Sequence, residues 1–332
     1  MSPYDRLFVA AVTAYGDDGT IDERQQRALM RYFLGAAPDF GIIVNPEAGE
    51  IFYLSAQEQE RLITIAVEEA GGRLPVFSGA LANTTAGTVA AARRALELGA
   101  DGLFLMPPIG AMDITIAWDP VGHPEVWGDV IGAVVDEVGD VPIICHPVAT
   151  PTAGYGVGLP LEPTLHLLRT YPQLVGWKMT YNYEGFRKVG RAIRQLDRHV
   201  GILGATAVNF HENLASEMFD GTVTGSFNYA LEPMLAHISA WRSGDLALAR
   251  KIWNGGLAAL HEYVYEQWGR LHVRYKTATW LRGLIDSPFM RPPMPAPGIT
   301  EVETLRTLLT NAGLSVRDSA SIKAMTDGLR RH

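Results

Sequence analysis

The most informative stretch of the chain reads LVGWKMT over residues 174–180, an apolar run that carries one lysine, Lys178, near its end. Apolar runs of this length between turn residues are typical of strands covered on both faces. An ammonium group is costly to bury there unless its pKa falls, and a lysine with a lowered pKa is a nucleophile suited to forming a Schiff base with a carbonyl group. The stretch alone leaves an alternative equally open, in which the strand lies at an edge and the lysine reaches water.

Seven further short apolar runs, separated by helical patterns, accompany this one. Strands that alternate with helices predict parallel pairing with right-handed crossovers, and eight such units predict an α/β fold, a closed (β/α)₈ TIM barrel. An open doubly wound sheet is the alternative, but no glycine-rich turn follows the first strand, as a dinucleotide fold would need. The best-marked helix, over 56–70, begins at a Ser55/Glu58 capping box. The predicted strands span 7–13, 41–45, 75–80, 102–106, 141–146, 174–179, 200–204 and 221–225.

After the eighth strand the pattern is purely helical, with a proline-rich connector at 292–297. We therefore predict a barrel over 1–242 that contains the active site and a C-terminal helical domain over 243–332. A loop over 107–124, with Trp118 and His123, is longer than an ordinary βα turn; such loops at the C-terminal face of a barrel shape the site or a subunit contact. The predicted helices span 231–241, 246–267, 273–285, 301–311 and 319–329.

The composition restricts the class of function. In 332 residues, 47% hydrophobic content allows a sizeable core, and a net charge of -8 argues against nucleic acid or an anionic membrane as a partner, though not against a small anionic ligand. A single cysteine, Cys145, and the lack of a basic region followed by an apolar one at the N-terminus predict a cytoplasmic protein. Without a phosphate loop, a dinucleotide fingerprint or metal-ligand spacing, we predict no cofactor and no metal.

The order and spacing of several short motifs resemble the dihydrodipicolinate synthase and N-acetylneuraminate lyase superfamily, from about residue 7 to about residue 285. The resemblance implies a TIM barrel with a C-terminal helical domain, a homotetramer or homodimer, and Lys178 as the Schiff-base lysine. It also implies a 2-oxo acid such as pyruvate as the default substrate, and a role for Thr13 in holding the lysine or the proton relay. The motifs are DGTID (18–22), AGE (48–50), PVFSG (75–79), NTT (83–85), GADG (99–102), VGWK (175–178) and GTVTGS (221–226).

The chain departs from the family's pattern at the turn that follows the second strand. In the family this turn binds the carboxylate of a 2-oxo acid through hydroxyl and backbone N–H groups. Here it reads PEAGE over 46–50, so the hydroxyls are missing and Glu47 adds a carboxylate. We predict Glu47, Ala48 and Gly49 of this turn as substrate contacts. An ionised Glu47 that points inward would repel a carboxylate. Three alternatives stay open for Glu47: it faces a cationic group, acts as a general base, or turns outward.

A second departure replaces the family's catalytic tyrosine after the fifth strand. Alignment from Pro142 places His146 at that position and Thr152 on a threonine of the motif. A histidine can transfer protons to a substrate carbonyl or hydroxyl near neutral pH, although a structural histidine in a turn is the alternative. Cys145 alternates with His146 and is expected to pack against the helices. Pro108-Ile109 replace a tyrosine pair of the fourth loop, so we do not expect proton delivery across a subunit interface in that form.

Thr206 after the seventh strand and Ser226 after the eighth complete the predicted substrate contacts. The leading functional prediction is a class I carbon–carbon lyase, an aldolase that forms an imine at Lys178 with a small 2-oxo acid or related carbonyl compound. A Schiff-base dehydratase is the second prediction. A barrel that has lost the chemistry and serves in binding or regulation is the alternative from another class. A lysine buried at a strand end argues against that last alternative, because only catalysis would justify its desolvation.

Overall fold

The computed structural model describes residues 2–36, 38–107, 119 and 122–329. The strands are β1 (Leu7–Ala10), β2 (Phe40–Val44), β3 (Val76–Ala80), β4 (Gly102–Leu105), β5 (Ile143–Cys145), β6 (Val148–Thr152), β7 (Gly156–Gly158), β8 (Leu174–Met179), β9 (Gly201–Gly204) and β10 (Gly221–Thr224). Eight of them close a parallel barrel in the order β1-β2-β3-β4-β5-β8-β9-β10. The predicted (β/α)₈ barrel is confirmed. The antiparallel hairpin β6–β7 after the fifth barrel strand was not predicted.

Helices follow the barrel strands and continue beyond them. They are α1 (Glu23–Leu34), α2 (Ala56–Ala70), α3 (Thr85–Glu97), α4 (Glu125–Val138), α5 (Leu161–Thr170), α6 (Tyr183–Ile193), α7 (Phe210–Ala215), α8 (Phe227–Arg242), α9 (Leu246–Ile252), α10 (Ala258–Tyr265), α11 (Leu271–Leu281), α12 (Ile299–Asn311) and α13 (Ser319–Leu329). The capping box of α2 is present, with Ser55 Oγ accepting from the Glu58 N–H and the Glu58 carboxylate accepting from the Ser55 N–H. In the described ranges no helix is long and apolar enough to cross a membrane.

The predicted helix over 246–267 is interrupted. Between α9 and α10 the chain forms a π-helical turn, Trp253–Leu257, in which Gly256 has a φ of 125° that an L side chain rarely adopts. In the long fourth loop, residues 108–118, 120 and 121 lie outside the described residues, and with them Pro108-Ile109 and Trp118. His123 is exposed and contacts Glu125.

The barrel interior is packed with aromatic and aliphatic side chains, among them Phe8, Phe77 and Phe104. The rings of Phe8 and Phe77 meet edge to face with 5.1 Å between their centroids. Glycine makes room for these rings, since a Cβ atom on Gly41 would lie 2.4 Å from the Phe8 ring. Because this layer fills the interior, a ligand can only be held above it, at the carboxyl ends of the strands.

A buried ion pair joins the C-terminal helices to the barrel. Lys276 of α11 places its Nζ 2.6 Å from Glu50 Oε1, and both side chains are only 1% exposed. Glu50 also accepts a hydrogen bond of 2.8 Å from the Arg291 backbone N–H, and the ammonium lies 4.0 Å from the Tyr15 ring centroid. The predicted domain boundary at residue 242 coincides with the end of α8. The division into a barrel over 1–242 and a helical domain over 243–332 stays a prediction.

Candidate active site

Lys178 points into the barrel at the carboxyl end of β8. Side chains alternate along a strand, and the neighbouring Trp177 faces the outer helices, where its ring lies 5.9 Å from that of Trp127 and its Nε1–H donates to the Tyr181 hydroxyl at 2.9 Å. The Lys178 side chain is 13% exposed. β8 is paired on both sides, so the edge-strand alternative is wrong.

Two further side chains from other strand ends converge on the Lys178 amine. His146, directly after β5, places Nδ1 3.3 Å from Lys178 Nζ. Glu47, in the turn after β2, lies with Oε2 3.0 Å from the same Nδ1 and 4.0 Å from Nζ. The imidazole stacks on the Phe104 ring with 5.6 Å between centroids, which fixes its plane. Of the alternatives left open for Glu47, the outward orientation is therefore wrong.

The charges of these three groups are strongly coupled. Burial lowers the pKa of Lys178 to about 8, although the nearby Glu47 carboxylate acts in the opposite direction. Burial likewise lowers the pKa of His146 to about 4, so its imidazole is neutral at pH 7. Burial alone would raise the pKa of Glu47, but the interactions with His146 and then with Lys178 outweigh it and hold this pKa well below its ordinary value. Glu47 is therefore an anion.

In this arrangement His146 Nδ1 can either carry a proton or accept one. In one tautomer the His146 Nδ1–H donates to Glu47, and in the other Nδ1 accepts from the Lys178 ammonium. Nδ1 is thus placed to take a proton from the lysine and to return one. A lowered pKa leaves a much larger share of Lys178 as free amine near neutral pH than an ordinary lysine has. The free amine is the nucleophilic form of a lysine.

A cavity of about 280 Å³ opens above these groups. Its described walls are mostly apolar, and their charged side chains are Glu47 and Lys178 alone. One hydroxyl on the wall, Thr180 Oγ1, is buried and has no hydrogen-bond partner in the described chain. The lining residues are Ala10, Pro46, Glu47, Ala48, His146, Val148, Val157, Lys178, Thr180, Ala205, Thr206, Val223, Thr224, Gly225, Tyr265, Trp268, Leu271, His272 and Tyr275.

The C-terminal helices supply one side of this cavity, which sequence reasoning missed. Tyr265, Trp268, His272 and Tyr275 all belong to the region of α10 and α11. Tyr275 donates a hydrogen bond of 2.6 Å to the Tyr265 hydroxyl, and burial lowers the pKa of His272. None of these residues follows a barrel strand, so the rule that βα loops carry the site gave no signal for them.

The nine predicted site residues divide into two groups. Glu47, Ala48 and Thr206 line the cavity together with Lys178 and His146. The other four, Thr13, Gly49, Thr152 and Ser226, are not among the described lining residues.

Local packing explains where two of those four residues lie. The Thr13 hydroxyl donates to the Gly49 carbonyl at 2.7 Å, and the lysine contacts His146 instead, so the expected hydrogen bond from Thr13 to Lys178 is not what the structure shows. Gly49 is packed so closely that a Cβ atom would lie 2.8 Å from the Ala11 carbonyl oxygen. These residues support the turn that carries Glu47.

Thr152 and Ser226 also lie apart from the described cavity wall. Thr152 belongs to the hairpin strand β6, where its hydroxyl is buried without a partner in the described chain. Ser226 is fully buried behind Tyr265, with 3.2 Å between the two hydroxyl oxygens, and it also accepts from the Tyr229 hydroxyl at 3.1 Å. Cys145, as expected, is fully buried among the side chains that pack between the strands and the helices, and burial raises the pKa of its thiol.

At the opposite end of the barrel, Asp5, His199 and Asp220 form the group of potential metal ligands that the described residues contain. Their atoms already have partners, since Asp5 accepts from His199 at 2.8 Å and Asp220 binds Arg194 through both oxygens. A cation there would compete with a guanidinium group. The residues do not favour a metal site.

Comparison with known proteins places the chain in a family. A sequence profile described as the Dihydrodipicolinate synthetase family matches residues 3–312. The chain belongs to this family. An uncharacterized DapA-like lyase of Thermofilum pendens is 26% identical over 296 residues, covering 88% of this chain and 91% of the relative. A 4-hydroxy-tetrahydrodipicolinate synthase of Nitratidesulfovibrio vulgaris is 27% identical over 313 residues, covering 94% of this chain and 99% of the relative.

Solved structures of the dihydrodipicolinate synthetase family and its superfamily share the fold. The dihydrodipicolinate synthase of Aquifex aeolicus superposes with a TM-score of 0.78 at 22% identity and covers 94% of this chain and 99% of its own. A catalytic lysine mutant of the Ruminococcus gnavus sialic acid aldolase gives a TM-score of 0.75 at 19% identity, covering 94% and 97%. The predicted superfamily is confirmed, and its members are Schiff-base class I lyases. At such identities the substrate must be inferred from the site itself.

Proposed function

We propose that this protein is a class I lyase that binds a small carbonyl compound as an imine on Lys178, with His146 and Glu47 as its proton-transfer pair. One observation carries the proposal: a buried amine of lowered pKa lies 3.3 Å from an imidazole that in turn contacts a carboxylate, at the floor of a cavity. A nucleophile, a base and a group that orients the base form the arrangement that covalent catalysis requires.

Imine formation follows from this geometry. The free Lys178 amine attacks the carbonyl carbon, a C–N bond forms, and the carbonyl π electrons move to the oxygen, which takes a proton from solvent. His146 Nδ1 accepts the proton that the new ammonium loses and returns it to the hydroxyl, which leaves as water while the nitrogen lone pair forms the C=N bond. Glu47 stabilises the positive iminium nitrogen that results, because its Oε2 lies 4.0 Å from Nζ.

Cleavage then uses the iminium as an electron sink. The substrate carries a hydroxyl on the second carbon from the imine carbon, and this hydroxyl gives its proton to His146. The bond between the hydroxyl-bearing carbon and the carbon next to the imine carbon then breaks, and its electron pair forms an enamine with the imine carbon. Protonation of the enamine carbon and addition of water release the second product and restore the free amine. Aldol cleavage is the first candidate and dehydration of a hydroxylated substrate the second, since both pass through this imine.

A barrel that only binds a ligand is the competing reading. Nothing in ligand binding requires an ammonium to lose hydration at a strand end, whereas imine chemistry does. The replacement Lys178→Met separates the two, because a binding protein would keep its affinity and a Schiff-base enzyme would lose all turnover.

Borohydride reduction in the presence of a panel of aldehydes, ketones and 2-oxo acids, followed by peptide mass spectrometry, tests the proposal directly. We expect a reduced adduct on the peptide with Lys178. The chain offers a matched control in Lys276, whose pKa burial also lowers to about 8 but whose amine is bound to Glu50 and does not line the cavity. An adduct on neither lysine across the panel, or equal labelling of both, would contradict the proposal.

We also propose that the protein assembles as a homotetramer or homodimer, as the family resemblance implies, and that it acts in the cytoplasm, a reducing compartment that suits a single cysteine. Light scattering of the purified protein tests the assembly. A monomer at micromolar concentration would overturn it without affecting the imine proposal.

A further inference from the structure

We infer that the carbonyl compound that condenses with Lys178 is uncharged, an aldehyde or ketone with no carboxylate beside its carbonyl group. The inference rests on the proposed function, because it concerns the donor of the same imine. Three properties of the cavity support it: its inventory of charges, the position of Glu47, and the character of its walls.

The described walls contain a single cation. Neither arginine nor a second lysine is found among the described lining residues, and His272 is neutral near pH 7 because burial lowers its pKa. Lys178 itself becomes the iminium, which carries one positive charge. A substrate carboxylate bound beside it would have to share that charge with whatever anion is already there, or remain unpaired in a largely apolar cavity.

An anion is already there. Glu47 Oε2 lies 4.0 Å from Lys178 Nζ and 3.0 Å from His146 Nδ1, and its side chain is only 27% exposed. The iminium and Glu47 together are electrically balanced. A carboxylate on the carbon next to the imine carbon would share this small cavity with Glu47, and two like charges in a partly desolvated site repel each other strongly.

The remaining polar groups on the walls suit a neutral ligand. The Thr180 hydroxyl, two residues after Lys178, is buried and unpartnered in the described chain, so a substrate oxygen can satisfy it. Tyr265 is less available because its hydroxyl lies 3.1 Å from that of Thr224 and 2.6 Å from that of Tyr275. Neutral hydroxyl groups such as that of Thr180 can orient a ketone or an alcohol, but they bring no positive charge to neutralise an anion.

Reductive trapping with a pair of isosteric donors tests this inference. Pyruvate and pyruvamide have the same shape and differ in one charge. We would measure the labelling of the Lys178 peptide by each in the presence of cyanoborohydride, and divide by the labelling of Nα-acetyl-lysine under the same conditions to remove differences in intrinsic reactivity. The expected corrected ratio favours pyruvamide by about tenfold or more, the equivalent of about 1.4 kcal/mol.

The variant Glu47→Gln shows whether that carboxylate is the cause. Glutamine keeps the size and can still accept from His146, so the ratio should fall toward one. Because both donors are measured on the same variant, any change in the pKa of Lys178 cancels.

Each failure has its own meaning. If wild-type protein labels equally well or better with pyruvate, the inference is overturned and the imine proposal stands. If the ratio favours pyruvamide but does not change in Glu47→Gln, the charge argument is wrong. If neither donor, nor butanone or propanal, labels Lys178 in folded protein, the proposed function fails and the inference with it.

Discussion

Replacement of Lys276 by methionine should destabilise the protein strongly, although the residue lies 98 positions from Lys178 in sequence and outside the cavity. Methionine has a similar length and fills the same space, so the main change is the loss of the ammonium group. Glu50 would then lose its cationic partner in a site that is 1% exposed, where the Arg291 N–H is the donor that remains among the described contacts.

The magnitude follows from this burial. Removing one partner of a buried ion pair costs about 3–5 kcal/mol, because the other charge is left uncompensated. For 332 residues at about 2.1 cal/mol/K each, the entropy of unfolding is about 0.7 kcal/mol/K, so the expected loss in Tm is about 4–7 °C. The double variant Lys276→Met/Glu50→Gln should lose less than the single one, since it no longer buries an unpaired charge.

Urea unfolding followed by circular dichroism, with calorimetry for Tm, measures the effect. Lys188→Met is a matched control, because Lys188 contacts Glu184 at 2.7 Å, nearly the distance of the buried pair, but the two side chains are 49% and 62% exposed. We expect no measurable change in this control. A Lys276→Met variant as stable as Lys188→Met, or a double variant less stable than the single one, would refute the reasoning.

Three further predictions concern the site and the core. The rate of imine formation should rise with pH up to about 8, where Lys178 loses its proton. The variant Glu47→Gln should move this rise to lower pH, because the carboxylate raises the pKa of the lysine. Stopped-flow measurements across pH 5–10 check both, and an unmoved profile in the variant would show that the two charges do not interact. Gly41→Ala should lower the free energy of unfolding by about 1–3 kcal/mol, because the added methyl group would overpack against the Phe8 ring. In the same assay Gly269→Ala should leave this free energy unchanged, because a Cβ atom there would meet no atom within 4 Å. Cys145 should not react with a thiol reagent until the protein unfolds, because its thiol is fully buried and burial raises its pKa; fast labelling of native protein would contradict its position.

The barrel could be predicted from the sequence because parallel strands buried on both faces leave continuous apolar runs. All eight runs became barrel strands, with ends that coincide with the predicted ones or are displaced by at most three residues. The hairpin β6–β7 escaped prediction because its strands read VATPT and GVG, which lack both an apolar run and a clear alternation. The break between α9 and α10 depends on the backbone of Gly256, which a helical pattern does not show.

The site could be predicted only where it follows the barrel strands. Lys178 and His146 end strands and meet as expected, while the direction of Glu47 depended on the turn formed by its neighbours. His272 could not be found in the same way, because α11 is buried on nearly every side and so has no amphipathic pattern to indicate which face meets the cavity. That information resides in contacts between segments far apart in sequence.

Helix α11 has a consequence for how this protein could change its specificity. The same two turns supply His272 and Tyr275 to the cavity wall and Lys276 to the carboxylate of Glu50. We therefore expect a chimaera with the C-terminal helices of a relative to acquire a new cavity wall while Lys178, His146 and Glu47 keep their positions on the barrel. The ion pair sets the condition for such an exchange, because a donor helix without a lysine at this position would leave Glu50 buried and alone.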